Sequence, residues 1–340
     1  MPDKRILFRA DGNSSIGLGH IFRSLALIEM LKSDFECLFI INQPSDIIRT
    51  ELSKHCTLLT LDISDKQAEL SVLNDVIKPT DIFVIDGYSF DVFYQQEIKK
   101  IAMKLVMIDD REGIDMLADL VINHGLQYSH NYLKESFTSF DLRGFRFLIV
   151  RNPFIMAARQ KRAITKVNSV FICMGGADPF NITKKAVIAS TRCHFIKNIT
   201  IVLGSAYTWR AELSKMIRTI SPHKNISLET NIDAVRIVEL VRKSEIAICP
   251  ASSMALEVCC IKSGLITGTF IDNQYLIHDQ LIEKGCAISV NDFNTASVET
   301  IEHALNRMAS IEIIQTMIEN QSCAIDGWSN ERILHVFKQL

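Results

Sequence analysis

The sequence has no excess of either charge: 37 Lys and Arg stand against 39 Asp and Glu, a formal net charge of -2 over 340 residues. A nucleic-acid backbone is gripped by clustered cations, so nucleic acid is not expected as a partner. No C-x-x-C pair occurs. The nine cysteines scatter from Cys37 to Cys323, and only Cys259 and Cys260 adjoin. Such a set argues against a disulfide framework and a structural zinc site. It fits reduced thiols filling apolar space in a cytosolic protein. No apolar run approaches the ~18 residues of a membrane span. No signal-peptide pattern precedes the first strand-like run, Ile6-Leu7-Phe8. The expectation is a cytoplasmic protein with no membrane partner; the sequence does not fix the oligomeric state, and a monomer is favoured.

What is present is an alternation of short apolar runs and amphipathic stretches. Ile6–Phe8, Cys37–Ile41, Ile82–Ile85, Leu105–Ile108 and Leu120–Ile122 are nearly continuously apolar. That is the pattern of parallel strands covered on both faces. Between the first two, Ile21, Leu25, Ile28 and Leu31 mark one face of a helix. The order then restarts with Ser169–Cys173, Ile199–Leu203, Ile246–Cys249 and Leu265–Thr267. The fold class expected is α/β, with two Rossmann-like, doubly wound parallel-sheet domains facing a cleft. The domains are placed at 1–152 and 153–327, with an amphipathic terminal helix over 328–340 whose pattern fits equally a helix that packs back on the first domain and one with no such role. Ligands in such sheets bind beyond the carboxyl ends of strands.

Three segments follow predicted strands and carry small or polar residues at a helix start. The first is Asp11-Gly12-Asn13-Ser14-Ser15-Ile16-Gly17-Leu18-Gly19-His20. Its glycines permit positive φ and close approach of a ligand to backbone. Asp11, Gly17 and Gly19 are taken as ligand-contacting positions. His20, at the positive end of a helix, is expected to be a neutral imidazole serving as general base. The second is Met174-Gly175-Gly176-Ala177-Asp178-Pro179, after which Asn181 is expected to cap a helix from Ile182. Gly175 and Gly176 would offer amides to phosphate oxygens. The third is Pro250-Ala251-Ser252-Ser253, with Glu257 one turn on. Ser252 or Ser253 would cap the helix beside amides that bind phosphate. A carboxylate at Glu257 suits the vicinal hydroxyls of a ribose. A dinucleotide cofactor is disfavoured. The third glycine of G-x-G-x-x-G falls on Phe22, and the second strand ends Ile40-Ile41-Asn42-Gln43 without an acidic ribose anchor.

Taken in order, Phe8-Arg9-Ala10-Asp11-Gly12 through Gly17-Leu18-Gly19-His20, Val106-Met107-Ile108-Asp109-Asp110, Val121-Ile122-Asn123, Arg151-Asn152-Pro153-Phe154, Met174 to Asn181, and Ala251-Ser252-Ser253 with Glu257 resemble one family. It is the UDP-2,4-diacetamido-2,4,6-trideoxy-β-L-altropyranose hydrolases of pseudaminic acid biosynthesis, related to the MurG-like glycosyltransferases of the GT-B fold. The resemblance implies a hydrolase without metal or cofactor that releases UDP from a UDP-sugar. His20 would activate the attacking water. Gly175, Gly176 and the Ser252-Ser253 turn would hold the diphosphate, and Glu257 the ribose. Asn273, Arg151 and Tyr88 would contact the substrate. Asp86 stands beside Tyr88 and is left out of the site, a strand-end cap being its simpler role. Two other readings share this pattern: a GT-B glycosyltransferase using a UDP-sugar, and a non-catalytic nucleotide-sugar-binding protein.

Overall fold

The computed structural model describes residues 4–12, 18–109, 117–125, 140–220 and 223–340. The chain divides into two units, residues 1–152 with 329–340, and residues 153–328. The expected fold class holds: each unit is built on one parallel sheet.

In the first unit the elements run β1 (Arg5–Ala10), α1 (Gly19–Leu31), β2 (Glu36–Asn42), α2 (Asp46–Leu52), β3 (Thr57–Leu61) and α3 (Lys66–Val76). They continue with β4 (Ile82–Asp86), α4 (Val92–Ile101), β5 (Lys104–Ile108), β6 (Leu120–Asn123) and β7 (Phe140–Arg143). Strand order is β3-β2-β1-β4-β5-β6-β7. Successive residues Ile6, Leu7 and Phe8 of β1 are fully buried. Neighbouring side chains on a strand point to opposite faces, so both faces of this sheet are covered.

After α5 (Asn152–Ala158) the second unit contains β8 (Ser169–Ile172), α6 (Ile182–Arg192), β9 (Asn198–Leu203), α7 (Arg210–Ile220), β10 (Asn225–Thr230) and α8 (Ala234–Arg242). Then come β11 (Ile246–Ile248), α9 (Ser253–Ile261), β12 (Gly264–Thr269), α10 (Tyr275–Glu283), β13 (Ile288–Asp292), α11 (Val298–Arg307) and α12 (Ile311–Ala324). Strand order is β10-β9-β8-β11-β12-β13. The last helix, α13 (Ser329–Gln339), returns to the first unit. Its buried Phe337 meets Phe35 with ring centroids 6.5 Å apart, and Lys338 pairs with Asp34. Burying one such ring is worth about 1.5–3 kcal/mol, enough to hold a terminal helix in place.

In both sheets the order reverses once, between β1 and β4 and between β8 and β11. At such a reversal the connections leave in opposite directions and open a crevice at the carboxyl ends. Among the described residues, no helix is long and apolar enough to cross a membrane.

The first unit also buries a charged network. Arg9 of β1 is fully buried. It donates from Nε and Nη2 to Glu69 of α3 at 2.8 and 3.1 Å, and from Nη1 to Asp11 at 2.5 Å. Tyr94 of α4 donates to the same Glu69 at 2.8 Å. Burial pushes Glu69 up, but Arg9, Tyr94 and Lys66 together hold it below the ordinary carboxylate value.

Candidate functional site

The first group of polar side chains sits at the β1–β4 reversal. Ala10 pairs with Asp86 across the two strands. α1 begins at Gly19, so His20 lies in its first turn, beside the carboxyl end of β4. His20 Nδ1 is 2.7 Å from Asp86 Oδ1. Arg23, one turn along α1, donates from Nε to Asp86 Oδ2 at 2.8 Å and from Nη2 to Oδ1 at 2.5 Å. Spacing of three residues puts His20 and Arg23 on one helix face. The Tyr88 ring meets the His20 ring edge-on, with centroids 4.7 Å apart and planes at 87°. Nε2 of His20 has no hydrogen-bond partner among the described residues and is not sealed from solvent.

Asp86, left out of the site in the sequence reading, holds two side chains of α1 with its oxygens. It is completely buried. Burial pushes its carboxyl pKa up, and the Arg23 charge and hydrogen bonds, with the His20 contact, more than reverse this. Asp86 and Glu69 thus bind protons less readily folded than unfolded. Their stabilisation is complete above the unfolded values of about 4 and is lost as pH falls through the lower folded values. The urea midpoint is expected to drop between about pH 5 and pH 3. A midpoint flat across that window would show that neither charge contributes.

The second group sits at the β8–β11 reversal. Gly175 after β8 adopts φ +83°, a conformation glycine takes without strain. Gly176 O accepts from Ala206 N at 3.1 Å, which ties this turn to the loop after β9. A Cβ on Gly204 would stand 2.1 Å from Gly176 O, a backbone atom. Gly204→Ala must push the two loops apart, at a cost of about 1–3 kcal/mol. A lower urea midpoint is expected. An unchanged variant would show that the loops are not packed this closely.

Helix α6 is capped by Asp178, whose oxygens accept from Ile182 N and Thr183 N, both at 2.8 Å. Asn181, expected as the cap, takes a left-handed conformation and makes no cap bond; its side chain accepts from Tyr207 Oη at 2.6 Å. Sequence placed the residue at the helix boundary correctly but could not tell which of two polar side chains reached back. The first amides of α6 are consequently occupied. Those of α9 differ: Ser252 stands at the N-cap position, yet no side chain caps the helix. The expectation that Ser252 or Ser253 caps α9 fails, because Ser252 Oγ turns to Pro250 O at 3.5 Å. An uncapped helix start leaves amides for an external anion.

Of the expected site residues, His20 and Tyr88 come together after β1 and β4. Gly19 opens α1 with open space where a Cβ would stand, and it does not adopt positive φ. Gly17 lies outside the described residues. Asp11 is close by, but its Oδ1 already accepts from Arg9 Nη1 and from Asn42 N at 3.0 Å. Gly175, Gly176, Ser252 and Ser253 gather at the ends of adjacent strands in the second unit, with Glu257 buried within α9. Asn273 lies on the turn Asp272–Gln274 after the neighbouring β12, where Gln274 Oε1 accepts from Phe270 N at 2.9 Å. Arg151 sits half-buried just ahead of α5. Sequence reasoning passed over Asp86, Arg23, Asp178 and Gly204. Only Arg23 carried a local signal, its helical spacing from His20.

No protein-family model matches the chain. It is 27% identical over 83% of its length to the UDP-2,4-diacetamido-2,4,6-trideoxy-β-L-altropyranose hydrolase of Campylobacter jejuni, covering 97% of that protein. It is 23% identical to the spore coat polysaccharide biosynthesis protein SpsG of Bacillus subtilis, over 97% of each chain. Among solved structures, MurG of Acinetobacter baumannii superposes with a TM-score of 0.71 at 10% identity, over 99% of this chain and 100% of that one. That likeness is one of fold. Among the described residues, no group of three His, Cys, Asp or Glu is arranged to hold a metal ion.

Proposed function

We propose that the protein hydrolyses a UDP-2,4-diacetamido-2,4,6-trideoxyhexose of the altrose type, releasing UDP by attack of water on the anomeric carbon, as a step in pseudaminic acid biosynthesis. The observation that carries this reading is the imidazole of His20, tied at Nδ1 and open at Nε2. The similarity to the Campylobacter hydrolase supplies the substrate class.

In this reading Nε2 accepts a proton from water as the water oxygen bonds to the anomeric carbon. The bond from that carbon to the UDP oxygen breaks, and UDP leaves with the electron pair. UDP is a good leaving group, so the protein's work is to place the water, remove its proton and stabilise diphosphate charge. The amides of Gly175, Gly176 and Ser253 at the uncapped start of α9, with the Ser252 hydroxyl, serve the diphosphate; the Ser252 amide is held by Pro250 O at 2.8 Å. Glu257 serves the ribose hydroxyls. Asp11, Gly17, Gly19, Tyr88, Arg151 and Asn273 complete the substrate contacts. No cofactor takes part.

The test is to incubate the protein with the UDP-sugar in ¹⁸O-labelled water and follow products by NMR and mass spectrometry. Label in the free sugar, with unlabelled UDP, is the expected result. Label in the phosphate, or no consumption, defeats the proposal. Consumption only when an alcohol acceptor is added would point to glycosyl transfer.

A further inference from the structure

We propose that Asp86 is the positioning residue of the site: it fixes His20 in the Nδ1–H tautomer, and Arg23 neutralises Asp86 so that the imidazole is not held as a cation. The inference rests on the reading of His20 as general base.

The geometry fixes a proton on Nδ1. An ionised carboxylate only accepts hydrogen bonds. Asp86 Oδ1, 2.7 Å from His20 Nδ1, therefore requires a hydrogen on Nδ1. Arg23 Nη2 lies 3.2 Å from that same nitrogen, but guanidinium also only donates. Both groups thus donate into Asp86 Oδ1 and sit side by side. A neutral imidazole with its hydrogen on Nδ1 presents a lone pair at Nε2, the form a base needs.

Two charges lie in direct contact with the imidazole, those of Asp86 and Arg23. A buried carboxylate alone would favour the imidazolium, which is useless as a base. Arg23 supplies the compensating charge to Asp86 through two hydrogen bonds. From β4 and the loop beyond it, His20 faces Asp86 and the Tyr88 ring; from its own helix it faces Arg23. Arg9 on β1 pairs with Asp11, just beyond the strand, and with Glu69. On α13, Lys338 pairs with Asp34, beyond the far end of α1.

Asp86→Asn breaks this logic by geometry. Asparagine has one oxygen, whereas three donors converge on Asp86. Wherever the amide group turns, its hydrogens confront Arg23, and in one orientation they push the imidazole into the Nε2–H tautomer.

The experiment begins with the unliganded protein carrying ¹⁵N-histidine, above the pH of imidazole titration. Long-range ¹H–¹⁵N spectra, with His20 assigned by its loss in His20→Asn, are expected to show hydrogen on Nδ1. Hydrogen on Nε2 overturns the proposal. This reading needs no turnover, so it stands or falls separately from the hydrolase assignment. With the UDP-sugar, Asp86→Asn is expected to lower kcat about 10–100-fold with little change in KM. Arg23→Gln is expected to move the acid limb of kcat/KM up by about one pH unit. Variants that lose activity only in proportion to folded protein, with no shift of the limb, would mark Asp86 and Arg23 as packing groups and overturn the proposal.

Discussion

Replacing His20 by alanine is expected to lower turnover of the UDP-sugar about 10²–10⁴-fold while leaving UDP affinity nearly unchanged. The split follows from the division of the chain. The proposed diphosphate and ribose contacts, Gly175, Gly176, the start of α9 and Glu257, all lie in the second unit. The imidazole belongs to the first and contributes a proton acceptor only when water attacks. Loss of a general base raises the barrier without loosening the nucleotide. Its polar and ring partners among the described residues are Asp86, Arg23 and Tyr88, all in the first unit. Single-turnover kinetics with calorimetric UDP binding separates the two quantities. Normal turnover in the variant would remove His20 from the chemistry. An equal loss of UDP affinity would make it a binding residue.

The largest effect on stability is expected at Glu69. Arg9, with no exposed surface, makes its bidentate contact with this carboxylate, and Tyr94 donates to it as well. Glu69→Ala leaves the guanidinium buried with Asp11 as its remaining carboxylate and strands the tyrosine hydroxyl. Breaking a buried pair on one side costs about 3–5 kcal/mol; the surviving Asp11 contact puts the expectation near the lower end. The urea midpoint of Glu69→Ala should fall clearly below wild type at pH 7 and approach it in acid, where the wild-type carboxylate also loses its charge. A variant as stable as wild type at pH 7 would mean that solvent reaches Arg9 easily. The network reaches the end of β1 through Asp11: its Oδ1 also accepts from Asn42 N, so disturbing Arg9 would weaken the tie between the ends of β1 and β2.

The strands that sequence made visible and those it did not differ in one respect. Central strands such as β1 and β4 are buried along almost their whole length and read as unbroken apolar runs. β3, β7, β10 and β13 were not anticipated, and these are the four edges of the two sheets. An edge strand has one neighbour and is partly exposed, as in Asn225–Thr230, so it tolerates polar residues and loses its pattern. The site divides in a similar way. Gly175, Gly176 and Ser252 stand in turns, and His20 at a helix start, whose small residues and glycines mark them in the sequence. Asp86 closes an apolar strand, where an acid is an ordinary end signal. Its partner on α1 is 66 residues away in sequence, and nothing near Asp86 announces it.

The amino-acid sequence by itself determined the two-sheet α/β class, the helix that carries His20, and the glycine and serine turns that follow strands. Each rests on periodicity or composition within a few residues, and local backbone physics suffices to read it. Strand order, the Asp86–His20–Arg23 cluster, the Asp178 cap and the Gly176–Gly204 contact were decided only by the tertiary structure. Parallel pairing joins segments separated by whole helices, and which strands become neighbours depends on how all the apolar faces are buried together.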